Sequence, residues 1–146
     1  MDTRRRSEQS LGYLLTDLLR LLRRDFYARA TGLELTPALA RLLYCVHRDP
    51  GCRQAELAAQ LEVTPVTLSR MIDRLVARGY VSRRSDAKDR RAVRIYVAPR
   101  GEPLVARMAD IVEATKARAL KGFGPRERQA LFASLERLQA NLGGDP

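Results

Sequence analysis

The chain is poor in the residues that most active-site chemistry needs. It has one histidine, His47, two cysteines, Cys45 and Cys52, and no tryptophan in 146 residues. Two cysteines cannot build a disulfide framework, and they fit a reducing compartment such as the cytoplasm. One histidine and two cysteines near a helix end are a thin basis for a metal centre, which wants several such ligands in defined geometry. No serine sits in a glycine-rich elbow, and no glycine-rich loop is set to cradle phosphate. The chain therefore reads as a non-enzyme with no cofactor and no metal. Long apolar runs are also missing. After the basic start "MDTRRRSEQS", the leucine-rich stretch is broken by Gly12, Thr16, Asp17 and Arg20, which argues against a signal peptide and a membrane span. Acid is scarce relative to base: 17 Asp and Glu face 27 Lys and Arg, for a net charge of +10. Such an excess points to an anionic partner, most simply nucleic acid. Lysine is scarce too, since 24 of the 27 cations are arginine, the residue suited to bidentate contact with phosphate and guanine.

The length fits one domain, and 45% hydrophobic with 30% charged residues makes it globular. Leu11, Leu14, Leu15, Leu18, Leu19, Leu22 and Phe26 recur with a period near 3.6 and predict a helix over 11–30. Leu21 and Tyr27 widen that stripe beyond what one core face needs, so a second body, such as another chain, is expected on it. Thr36-Pro37 is a cap followed by a first-turn proline. Leu39, Leu42, Leu43 and Val46 then line one helical face, and Asp49-Pro50-Gly51 ends it. A short helix is expected over 53–61. Thr64-Pro65 repeats the start signal for a helix that runs to about Arg78, before Gly79. Only a few residues around Glu62-Val63 join the two, which is the spacing of a helix-turn-helix. "YVSRRS" and "AVRIYVAP" alternate as strands, with Val81, Val93, Ile95 and Val97 on one face of a hairpin. Helices over about 102–120 and 125–142 follow, separated by "GFGP", and the tail "GGDP" should fray.

The helix over 64–78 has two chemically different faces. Leu68, Met71, Ile72 and Leu75 share one, and Thr67, Arg70, Arg74 and Arg78 share the other. A hydroxyl and guanidinium face suits the major groove, where the first turns of a recognition helix read base edges. Thr64, Pro65, Val66, Thr67, Ser69, Arg70 and Arg74 are the candidate contacts. Arg53 and Gln54, at the start of the preceding helix, are candidate phosphate contacts. Residues 53–100 hold eleven basic and five acidic side chains, so 11 − 5 = +6 of the +10 lies in a third of the chain. The hexapeptide Asp86-Ala87-Lys88-Asp89-Arg90-Arg91 between the two strands is open to three readings: an acid/base pair, half a metal site, or a tip that touches a polyanion.

The segment "QAELAAQLEVTPVTLSRMIDRLVARGYVSRRSDAKDRRAVRIYVAPRG" resembles the MarR family of winged helix-turn-helix transcriptional regulators. "IDRLVARGYVSR" and "DAKDRR" carry most of the resemblance, and "FGPRERQALFASLERLQANL" is similar to the family's last helix. The resemblance implies a mainly α (α+β) fold. A DNA-binding lobe over 36–100 would carry a small β-hairpin wing, and helices over 8–31 and 102–142 would form a dimerisation layer, all in one MarR-like domain over 1–146. It implies a homodimer on a pseudo-palindromic double-stranded operator. It also implies a repressor released by a small, aromatic or lipophilic effector. Lys88, Arg90 and Arg91 become wing contacts to the minor groove and phosphates. Asp86 and Asp89, which repel phosphate, become braces for arginines such as Arg74, Arg84 or Arg91. The family often has threonine just before the proline of its fifth helix. Ala98 stands there, and Pro103 falls in the expected first turn, so that helix should begin late or irregularly.

Tyr13, Tyr27, Tyr44 and His47 are candidate polar rims for an effector pocket. Two other readings compete. An architectural DNA binder without effector would share the charge pattern. A redox-sensing regulator would need a reactive thiol, and Cys52, in a loop beside Arg53, is the better candidate than Cys45 on an apolar stripe.

Overall fold

The computed structural model describes residues 10–143. Residues 1–9 and 144–146, with the first part of the expected 8–31 segment and most of the "GGDP" tail, lie outside the described residues. Six α-helices and three short strands follow one another: α1 (Leu11–Arg29), α2 (Pro37–Arg48), β1 (Cys52–Arg53), α3 (Gln54–Leu61), α4 (Pro65–Ala77), β2 (Val81–Ser85), β3 (Val93–Val97), α5 (Glu102–Ala119) and α6 (Pro125–Gly143). Side-chain caps start several of them. Ser10 Oγ accepts the Tyr13 N–H at 3.0 Å, Thr36 Oγ1 the Leu39 N–H at 3.3 Å, and Thr64 Oγ1 the Thr67 N–H at 3.2 Å. Pro37 and Pro65 stand in first turns, where a helix lacks an acceptor for their missing N–H. Helix α3 ends with Glu62 in the left-handed region at φ 53°, and this sharp reversal makes the short turn into α4.

The hairpin is part of a three-stranded antiparallel sheet of order β1-β3-β2. Cys52 and Arg53 pair with Ile95 and Arg94, which extends the sheet beyond the hairpin expected from sequence. The inner face carries Val81 and Ile95 against α2, α3 and α4. Leu39, Leu42, Leu43, Val46, Leu57, Leu61, Leu68, Ile72 and Leu75 fill the space between them, and Val105, Met108 and Ile111 of α5 close it. Each such aliphatic side chain contributes about 1.5–3 kcal/mol on burial.

Helix α5 corrects one expectation. It starts on time at Glu102, with Pro103 in its first turn, and the irregular part is a 3-10 turn, Pro99–Gly101, ahead of it. Pro103 costs no hydrogen bond because first-turn N–H groups lack intrahelical acceptors. Ala98 gives no side-chain cap; instead its N–H bonds the Tyr80 carbonyl at 2.9 Å, and the Gly101 N–H bonds the Ala98 carbonyl at 2.8 Å. A Cβ on Gly101 would lie 2.3 Å from the Tyr80 carbonyl oxygen, so only glycine fits this crossing.

Helices α1 and α6 differ from the rest, since neither has a buried residue. Asp25 ties α1 to α5 by accepting from Thr115 Oγ1 at 2.9 Å and from Arg118. Hydrogen bonding from Arg29 first, then from Thr115 and Arg118, lowers the Asp25 pKa to about 2. No helix among the described residues is long and apolar enough to cross a membrane.

Candidate nucleic-acid interface

Helix α4 buries Leu68, Ile72 and Leu75 and turns its other face to solvent. Thr64, Pro65, Val66, Thr67, Arg70 and Arg74 are exposed on it. Arg70 and Arg74 make no ion pair with any described residue, so their guanidinium groups are free to meet an anion. Three residues of the expected face have other engagements. The Thr64 hydroxyl accepts the Thr67 N–H and donates to Thr67 Oγ1 at 2.9 Å, so it serves the helix start. Ser69 is half-buried, and its carbonyl takes Arg83 Nη2 at 3.1 Å. Arg78 donates to the Glu34 carbonyl and is not part of the free face.

Strand β2 directs Arg83 toward α4, where Nη1 meets Asp73 at 2.6 Å. The wing is thus latched to the recognition helix through its inner face. On the outer face Arg84 stacks over the Tyr96 ring, 4.5 Å from its centroid.

The hexapeptide forms the loop between β2 and β3, so a wing tip replaces the acid/base and metal readings. Its carboxylates are occupied by loop geometry. Asp86 is 7% exposed. Its Oδ1 accepts the Lys88 N–H at 2.9 Å, and its Oδ2 accepts Arg94 Nε at 2.9 Å and faces Arg53 Nη2 at 3.5 Å. The backbone hydrogen bond from Lys88 first, then Arg94 and Arg53, holds its pKa below the ordinary aspartate value. Asp89 accepts the Arg91 N–H at 3.0 Å. The expected arginine partners are therefore corrected. Arg74, Arg84 and Arg91 do not pair with either carboxylate, while Arg94 and Arg53 pair with Asp86. Register explains this, because Asp86 follows directly on β2 and its neighbours across the sheet are the outward residues of β3 and β1. Lys88, Arg90 and Arg91 are exposed and make no ion pair with described residues. Arg53 and Gln54 line a cleft of about 350 Å³ with Ala55, Pro65, Arg91, Ala92 and Val93. That cleft joins the start of α3, the start of α4 and the base of the wing.

The four expected pocket residues are not brought together. Tyr44 and His47 are neighbours, with ring centroids 6.2 Å apart. Tyr27 instead donates to the Pro37 carbonyl at 3.3 Å, and Tyr13 is 76% exposed on the first turn of α1. A cleft of about 520 Å³ lies between α1 and α5 and is lined by Leu18, Leu21, Leu22, Asp25, Thr115 and Arg118 among others. None of the four lines either cleft.

Cys52 is also corrected. It lies in β1 rather than a loop, buried against the core, and burial first, then the Asp49 and Glu56 carboxylates, push its thiol up to about 11. Burial raises Cys45 as well. Neither has the lowered pKa of a reactive thiol. No group of three or more His, Cys, Asp or Glu is placed to hold a metal among the described residues.

A recognition helix, a preceding helix joined by a tight turn, and a basic hairpin define a winged helix-turn-helix. The MarR family model matches residues 35–93. A MarR-family transcriptional regulator from Silicibacter pomeroyi is 30% identical over 92% of this chain and 90% of its own, with a TM-score of 0.79. A MarR regulator from Methanosarcina mazei is 27% identical over 90% and 94%, with a TM-score of 0.77. The repressor CouR, solved on a 23-mer DNA duplex, is 27% identical over 90% and 93%, with a TM-score of 0.72. The chain belongs to the MarR family of transcription regulators.

Proposed function

We propose that the chain is a repressor that binds a pseudo-palindromic DNA duplex as a homodimer in the cytoplasm and responds to a small effector. The observation that carries this reading is the pairing state of the arginines. Arg83, Arg94 and Asp86 are spent on holding the wing, whereas Arg70, Arg74, Arg90 and Arg91 are free and exposed. Major-groove reading falls to Thr67, Arg70 and Arg74, with Pro65 and Val66 offering apolar contact to thymine methyls. Arg90 and Arg91 take the minor groove, with Lys88, Arg53 and Gln54 on phosphate. Dimerisation uses the exposed leucines of α1 and α6. The DNA duplex on CouR supports the same partner here.

Selection of binding duplexes from a random library tests the reading. A regulator binds its selected duplex roughly 10³-fold or more over random DNA. Equal binding to both would instead identify an architectural protein. Arg70→Ala should relax base preference at one position, costing about 1–3 kcal/mol there. Arg91→Ala should weaken binding to every sequence and lower the salt slope by about 1. If Arg91→Ala kept full affinity at moderate salt, the wing assignment would fail. For the effector, aromatic acids that bind the native dimer should raise its melting temperature.

A further inference from the structure

The outer face of the sheet carries an unusual row. Arg53, Arg94 and Arg84 stand side by side on β1, β3 and β2 by register. Like charges directly opposite one another across strands are unfavourable. Arg84 is drawn off onto Tyr96. The other two meet at Asp86, and Arg94 does more than neutralise it. Its Nε donates to Asp86 Oδ2 at 2.9 Å, and its Nη1 donates to the Gly51 carbonyl at 2.7 Å. Gly51 belongs to the turn that leads into α3, and its N–H donates to the Ile95 carbonyl at 2.9 Å. Gly51 also has φ 80°, and a Cβ there would come within 2.8 Å of Tyr96 Oη. The turn is thus pressed onto the sheet at the point where Arg94 holds it.

We infer that Arg94 is a positioning residue that fixes the wing tip to the front of the helix-turn-helix by holding the Asp86 carboxylate and the Gly51 carbonyl at once. One guanidinium spans two acceptors on different segments, which a fork of fixed geometry does and a point charge does not. Asp86 passes the constraint to the loop by accepting the Lys88 N–H, so the aim of Arg90 and Arg91 depends on a side chain that need not touch DNA. Arg83, bound to Asp73 and Ser69, holds the same hairpin from its other face. The wing is therefore clamped from both sides of the sheet, and only the outer clamp reaches the tip. This inference rests on the reading of the wing as a DNA contact.

The test uses the full chain and a duplex that it selects from a random library. Protection of guanine N7 from methylation reports the recognition helix in the major groove. Protection of sugars from hydroxyl radical at the flanks reports the wing in the minor groove. Arg94→Met, which keeps the aliphatic stem, should lose flank protection, keep guanine protection, and bind roughly tenfold more weakly. A merely structural role would lower both protections together, and that result, or retained flank protection, overturns the inference. Should Arg94→Met fail to fold, Arg94→Lys decides, since one ammonium lacks the fork that holds both acceptors. Partial flank protection supports the inference, and wild-type protection overturns it. The double variant Arg90→Ala/Arg91→Ala separates the two readings. If it keeps flank protection, the wing contact itself fails, whatever Arg94→Met does.

Discussion

Two leucine-rich regions of this chain have opposite fates. In α2, α3 and α4, Leu42, Leu43, Leu57, Leu68 and Leu75 are wholly buried. In α1 and α6, Leu11, Leu14, Leu18, Leu19, Phe132, Leu135 and Leu142 are 36–84% exposed. Leucines recur at helical spacing in both, so spacing alone does not explain the difference. What differs is the partner. The helix-turn-helix brings its own second layer in the sheet and α5. Helices α1 and α6 have only part of one, since Asp25, Thr115 and Arg118 fasten α1 to α5 by polar contacts and leave its leucines outside. A single chain does not tolerate such a face without cost, which is why a second copy is the partner proposed for it.

Truncating one leucine in each region is the strongest way to break this comparison. Leu57→Ala should lower the free energy of unfolding by about 2–5 kcal/mol in urea titration, because it opens a cavity in a filled core. Leu14→Ala with Phe132→Ala should leave the circular dichroism of the lobe intact. The pair should raise the dimer dissociation constant roughly tenfold or more in sedimentation equilibrium. If the second variant instead unfolded the lobe at concentrations where wild-type is monomeric, the two regions would share one core and the contrast would be lost.

The joint between the regions is the next place to probe. At Gly101 the chain crosses the Tyr80 carbonyl on its way from wing to α5. Gly101→Ala must push that crossing apart, at about 1–3 kcal/mol as for other overpacked sites. Thermal melting at fixed protein concentration reads the loss. An unchanged melting temperature would show that α5 shifts freely against the lobe.

How much of this could be read from sequence follows the same division. Helical period, Thr-Pro starts and the Gly79 stop marked the helices of both regions, because those signals are local. The exposed face of α4 is legible for the same reason, since spacings of three and four place Arg70 and Arg74 together. Register was not legible. Strand β1 has only two residues, and nothing local in Cys52-Arg53 shows that it joins β3. Without β1, neither the Arg53–Arg94–Arg84 row nor the burial of Cys52 follows, so local signals single out no role for Arg94 and put Cys52 in a loop. The engagements of Arg78 and Arg83 are illegible on similar grounds, as their acceptors, Glu34 and Asp73, are 44 and 10 residues away. Nothing local in the sequence shows whether Tyr13, Tyr27, Tyr44 and His47 converge, and the fold brings together only Tyr44 and His47.

The smallest effect lies inside the lobe, at the turn between α3 and α4. Glu62 sits in the left-handed region, where a residue with a Cβ is disfavoured by about 1–2 kcal/mol. Glycine removes that penalty but frees the unfolded chain, at about 0.5–1 kcal/mol. Glu62→Gly should therefore gain between about 0 and about 1.5 kcal/mol in urea titration. Glu62→Gln, which removes the charge and keeps the Cβ, sets the baseline. The backbone N–H that closes α3 on Ala58 and Ala59 is present in both variants. DNA affinity should then change equally in the two, through the lost negative charge alone. A gain in stability for glutamine as large as for glycine would show that charge, not backbone strain, limits this turn. It would also mean that the lobe, like α1, is weakened by what its surface carries rather than by how its chain is bent.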